Sequence, residues 1–120
     1  MKLKTFAIAA VAAASGLAAP AFAHHSFAMF DSSKTMTLVG TVKEFQWINP
    51  HTWIQLNVPT SGKTVEWSIE GGSPNGLARR GWKSTVLKPG DKVTIVIAPM
   101  KDGSSGGSLK TITLPDGKTL

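Results

Sequence analysis

Apolar and polar positions alternate with a period of two along most of the chain beyond residue 35, the pattern of half-buried β-strands. Met36, Leu38 and Val42 alternate with Thr35, Thr37 and Thr41, and Gly40 sits inside the run. Past Lys43-Glu44 the apolar set changes parity to Phe45 and Trp47, so a bulge or sharp bend is expected there. Asn49-Pro50 ends the strand, because proline cannot donate to a ladder, and His51 follows directly. A second strand over Thr52 to Val58 sets Ile54, Leu56 and Val58 against Trp53, Gln55 and Asn57. After the Ser61-Gly62 turn, a third sets Val65, Trp67 and Ile69 against Glu66, Ser68 and Glu70, so the two carboxylates share a face that is either solvent or a site.

Ser73-Pro74 reads as an N-cap followed by proline at the first helical position, predicting a short helix over Asn75 to Arg80 that Gly81 ends. Trp82 is expected to fold back onto the core. Lys88-Pro89-Gly90-Asp91 is a turn, Val93, Ile95 and Ile97 carry a fourth strand, and the glycine- and serine-rich stretch Asp102 to Ser108 reads as a hairpin loop. Leu109 to Leu114 is the fifth strand, and Pro115-Asp116-Gly117 turns the tail. This order predicts an all-β, mainly antiparallel fold: a small five-stranded OB-like barrel with one short helix between strands 3 and 4. A bent, glycine-bearing first strand suits it, since that strand serves both halves of the barrel. A plain β-sandwich is the competing architecture. Neither gives the function, because barrels of this kind host unrelated ligands.

The first 23 residues have a different pattern. Lys2 and Lys4 precede an apolar run from Phe6 through Ala14, and Ala21-Phe22-Ala23 fits the small-residue cleavage rule of a secretory signal. The apolar run is too short to span a bilayer, so no membrane span is expected after cleavage. The expected organisation is a cleaved signal over 1–23, an extended arm over 24–34 and a single barrel domain over 35–120, in a protein expected to be periplasmic or secreted and monomeric. Removal of the signal leaves 97 residues, enough for one small domain.

Those 97 residues carry eleven basic and seven acidic side chains, scattered except for Arg79-Arg80. That is solvated surface charge rather than a nucleic-acid footprint, and no nucleic acid partner is expected. The chain has no cysteine, which excludes disulfides, thiolate metal sites and cysteine nucleophiles. No nucleophile elbow or phosphate-cradling glycine loop is present, and Glu66 and Glu70 stand about 13 Å apart along a strand, too far for a close acid/base pair. An enzyme is not expected.

The candidate chemistry lies in the three histidines, His24, His25 and His51, all at element ends or in the arm. Cleavage after Ala23 makes His24 the first residue, offering its α-amine and its ring Nδ1 from one residue, an arrangement that copper favours. An imidazole from His51 would complete a T-shaped site of three nitrogens, similar to the histidine brace of exported copper proteins. His25 is the competing third ligand. Glu70 is a weaker candidate, as an outer ligand or as a carboxylate that orients a histidine. Met29, Met36 and Met100 offer soft sulfur for Cu(I), although methionine at strand spacing is more often core. Geometry constrains the site: from His24 to Met36 spans at most about 40 Å, and the first strand runs on for a similar length before His51. The arm must double back. The competing reading makes His24 and His25 a solvated end and His51 a turn cap.

Two functions therefore stand as expectations. One is a small exported copper carrier or chaperone. The other is a non-metal periplasmic interaction module that binds an unknown protein or envelope component through a barrel face or through Trp47, Trp53 and Trp82, although burial is the more usual role for such tryptophans.

The chain also resembles an uncharacterised family of small exported bacterial proteins, a domain of unknown function (6152). The resemblance covers nearly all of the chain after residue 23. It is carried by His24-His25-Ser26-Phe27, Gly40-Thr41-Val42, Asn49-Pro50-His51, Trp67 with Glu70, Ser73-Pro74-Asn75-Gly76-Leu77, Arg80-Gly81-Trp82 and Leu87-Lys88-Pro89-Gly90-Asp91. It implies a secreted or periplasmic β-domain and brings no activity with it.

Overall fold

The computed structural model describes residues 28–120, so the signal expected over 1–23, together with His24 and His25, lies outside the described residues. Five strands, β1 (Met36–Gln46), β2 (Trp53–Thr60), β3 (Lys63–Glu70), β4 (Lys92–Pro99) and β5 (Gly106–Thr113), and one helix, α1 (Pro74–Arg79), make up the domain. The strands close into a barrel in the order β1-β2-β3-β5-β4, with β1 pairing both β2 and β4. All pairs are antiparallel except β3 with β5. This is the five-stranded OB-like barrel that the pattern predicts, with its helix between β3 and β4.

The bulge falls where the parity changes. The register of β1 against β2 shifts between Val42 and Glu44, so Leu38 and Val42 point inward before it and Phe45 packs against the core after it. On β2 the alternation is regular, with Ile54, Leu56 and Val58 buried. Ile54, Leu56, Ile69, Ile95, Ile97 and Ile112 are almost wholly shielded from water and fill the barrel. Burying each is worth about 1.5–3 kcal/mol, and this packing holds a chain that has no disulfide. Met36 departs from its expected inward role: it stands at the first position of β1 and is 39% exposed.

Helix α1 contributes Leu77 to the core. Ser73 caps it by accepting the Gly76 N–H at 3.1 Å, Pro74 takes the first turn, and Leu77 is buried beside Trp82 and Leu87. Trp82 does fold back, donating its backbone N–H to the Leu77 carbonyl at 3.0 Å and tilting its ring against Phe45 at 6.2 Å.

The sequence reading fails at β5. Gly106, Gly107 and Ser108, expected in a hairpin loop, form the first three residues of the strand and pair in parallel with Ser68, Ile69 and Glu70 to close the barrel. The reason is steric. A Cβ at Gly107 would stand 2.7 Å from the Ala98 carbonyl oxygen and 2.5 Å from Ile97 Cδ1, closer than real side chains approach. Here glycine marks a crowded seam, not a flexible connection.

Candidate functional site

The seam gathers the residues with chemistry. β2 and β3 pair with Trp53 opposite Glu70, and the pairing continues past the strand ends: the Thr52 N–H donates to Gly72 O at 3.0 Å and the Gly71 N–H to Thr52 O at 2.8 Å. Thr52 is only 1% exposed, and its hydroxyl also donates to Gly72 O at 2.9 Å. A Cβ on Gly71 would collide with that hydroxyl oxygen, so the close approach requires glycine. This lock holds His51, one residue earlier, against the end of β3.

His51 Nδ1 lies 3.3 Å from the Gly71 carbonyl oxygen and 3.3 Å from Glu70 Oε1. Two acceptors facing one ring nitrogen assign the proton of the neutral ring to Nδ1, leaving the Nε2 lone pair as the donor to a metal. Glu70 is 7% exposed, and a buried carboxylate needs such a partner. A carboxylate on the far nitrogen of a ligating imidazole is the usual arrangement around protein-bound metals, fixing both tautomer and ring orientation. His51 and Glu70 line a cleft of about 210 Å³ with Phe30, Gly71, Gly72, Arg80, Ser108 and Leu109.

Phe30 shows the path of the arm. It is buried, it bridges Met100 in antiparallel fashion, and the contact is reinforced by Asp31 N–H to Pro99 O and Lys101 N–H to Met29 O, both 2.8 Å. The arm therefore reaches the cleft of His51 across the ends of β4 and β5, not by running back along β1.

Comparison with known proteins places the chain. Residues 11–110 match the family of unknown function DUF6152. The chain belongs to DUF6152. No match was found among curated proteins. Among solved structures, the mitochondrial single-stranded DNA binding protein Rim1 of S. cerevisiae superposes with a TM-score of 0.50 at 17% identity, over 68% of this chain and 93% of that one. A second crystal structure of Rim1, labelled with selenomethionine, gives a TM-score of 0.46 at 16% identity, over 68% and 92%. At 17% identity the first likeness is one of fold.

The other candidates of this DUF6152 protein are dispersed. Glu66 sits on the barrel exterior, where its carboxylate takes the Lys43 ammonium at 2.8 Å and holds that lysine above its usual range, so Glu66 and Glu70 have separate surroundings. Trp82 is buried at 3% exposure and Trp47 packs edge-on against Phe45 at 5.8 Å, while Trp53 is half-buried on β2; the three form no common exposed platform. Among the described residues no three His, Asp or Glu side chains gather as a metal site, and no helix is long and apolar enough to cross a membrane. Phe30, Arg80 and Ser108 were not singled out for this site from sequence. Arg80 does stand in one of the family motifs, but nothing in the alternation pattern marks Phe30 or Ser108.

Proposed function

We propose that this protein is an exported copper carrier, in which removal of residues 1–23 frees His24 to supply its amine and ring Nδ1 and His51 supplies Nε2. His25 competes for the third position, and the processed protein works in the periplasm or the medium. The carrying observation is that Phe30 lines the same cleft as His51. His24 is six residues from Phe30, a span of at most about 20 Å when extended, so the terminal nitrogens are within reach of an imidazole already oriented by Glu70 and Gly71. The ligands must shed protons to bind, so copper affinity falls with decreasing pH.

Titration of the chain beginning at His24 with Cu(II), beside a version with one extra residue in front, tests this. One-to-one binding with nitrogen hyperfine couplings in electron paramagnetic resonance, lost in the extended version and weakened at least tenfold by His51→Ala, is the expected result. Equal binding in both versions would remove the terminal copper site from the function. The competing reading, a non-metal module recognising a protein or envelope component, draws on the barrel face, where Val39 is 64% exposed in mid-strand. Such a module would be indifferent to the extra residue.

A further inference from the structure

A second cleft, of about 250 Å³, is lined by Met100, the partner of Phe30 in the bridge that ties down the arm. Met36, Met100, Trp67, Asp31, Lys34 and Lys101 are among its lining residues. We propose that this cleft is a site for a soft monovalent cation, Cu(I) or Ag(I), held by the sulfur atoms of Met36 and Met100 against the face of Trp67.

The two methionines reach the cleft from different elements, and neither is fully buried. Met36 is 39% exposed at the first position of β1, outside the buried core. Met100 lies over Gly106: a Cβ there would come 3.3 Å from Met100 Cγ and 3.8 Å from its sulfur, so the bare glycine leaves the space that the thioether occupies. The Met100 N–H donates to Gly106 O at 3.2 Å, which ties the backbone of the one to the other. Trp67 is half-buried and packs against the core, so its indole is held in place.

The charges around the cleft select among metals. The Asp31 carboxylate accepts the Ser33 hydroxyl at 2.6 Å and lies 3.6 Å from Lys34, so it is already engaged. Lys34 and Lys101 repel a divalent ion more strongly than a monovalent one, and hard divalent ions bind through charge and oxygen. Thioethers are neutral and polarisable, and their bonds to Cu(I) and Ag(I) do not depend on a carboxylate. An aromatic face adds attraction for a cation stripped of water. No ligand of this site comes from the histidines, so it stands or falls separately from the terminal copper site.

The test uses the chain beginning at His24 with one extra residue in front, in which the terminal copper site is disabled. Ag(I) is titrated by calorimetry and by tryptophan fluorescence, and the Cu(I) form is prepared anaerobically for X-ray absorption. The expected result is one equivalent of Ag(I) bound, with affinity reduced tenfold or more by Met36→Leu, by Met100→Leu, and further by the pair, and sulfur scatterers around Cu(I). Leucine conserves volume, and Met36 is exposed enough that its replacement leaves the fold intact. Trp67→Phe should keep binding while removing most of the fluorescence change. Ag(I) affinity unchanged in Met36→Leu, or a Cu(I) shell of nitrogen and oxygen alone, would overturn the proposal. Failure of the Cu(II) titration with these results intact would overturn only the terminal site.

Discussion

Replacing Gly71 with alanine isolates the contact that holds His51 against β3. The φ of Gly71 is not in the left-handed region, so alanine meets no backbone penalty and the whole effect is steric. The new methyl overlaps Thr52 Oγ1, and every other neighbour is at least 3.6 Å away. To make room the threonine must rotate, breaking its 2.9 Å bond to Gly72 O and leaving a hydroxyl unpaired at a position 1% exposed. A stranded buried polar group costs about 1–3 kcal/mol, and the accompanying shift adds roughly 1 kcal/mol of packing strain, giving about 2–4 kcal/mol. Thr52→Ala loses one hydrogen bond and one buried methyl, about 2 kcal/mol, while Gly72 O keeps the Thr52 N–H at 3.0 Å. In the double variant the obstructing oxygen is gone and the alanine methyl faces only Thr52 Cβ and O at 3.6 Å, an ordinary contact. Its cost should therefore match that of Thr52→Ala alone, so that the two changes fall about 2–4 kcal/mol short of additivity. Urea unfolding with a constant m-value reads all four proteins. Additivity to within about 0.5 kcal/mol would refute the lock.

Three further outcomes follow from the same geometry. Glu70→Gln keeps the shape of the side chain but removes the charge beside His51 Nδ1, and should weaken Cu(II) binding about 10- to 100-fold with little change in unfolding midpoint; undiminished affinity would show that Glu70 does not orient the ring. Gly107→Ala forces a methyl onto the Ala98 carbonyl, a backbone atom that cannot swing aside, and should cost about 1–3 kcal/mol or more, lowering Tm by at least about 4 °C; an unchanged Tm would contradict the crowding at the seam. The Ser33 hydroxyl, with the Ser33 N–H and Lys34, holds the Asp31 carboxyl below its usual range. A depressed folded value contributes stability that is present above the unfolded value and lost as pH falls through the folded one, so the deficit of Asp31→Ala should be largest near neutrality and shrink below about pH 4. A deficit constant down to pH 3 would exclude that contribution.

Much of this barrel is legible in its alternation. Ile54, Leu56 and Val58 point inward as their spacing requires, the parity change after Val42 places the bulge, and Ser73-Pro74 starts the helix. What alternation does not encode is close approach. Gly106 and Gly107 read as a loop because a residue with no side chain gives no inward or outward signal, yet their bareness is what lets β5 reach β3. The same limit left open which histidine the Glu70 carboxylate would orient, and the structure sets it beside His51. Each was individually suspect, but their contact depends on the register that puts Trp53 opposite Glu70, and a shift of one residue would have sent Glu70 to the other face. The return of the arm depends on a single bridge, Phe30 to Met100, between segments that share no periodic pattern.

The parallel seam also sets an order of events. β3 and β5 are separated in sequence by the helix and β4, so their pairing carries a larger loop-closure cost than the β1–β2 and β2–β3 hairpins and is expected to form after them. The cleft takes Phe30 from the arm, His51 and Glu70 from the β2–β3 hairpin, and Ser108 from the strand that closes the seam. The complete cleft around the imidazole is then a product of finished folding, and an unfolded chain can offer a metal only what neighbouring residues supply. Cargo would be loaded after closure and released if the seam opened. Pulse-labelling hydrogen exchange can time this: the amides of Gly107 and Ser108 should gain protection after those of Ile54 and Ile69, and the reverse order would assign closure of the barrel to an earlier stage.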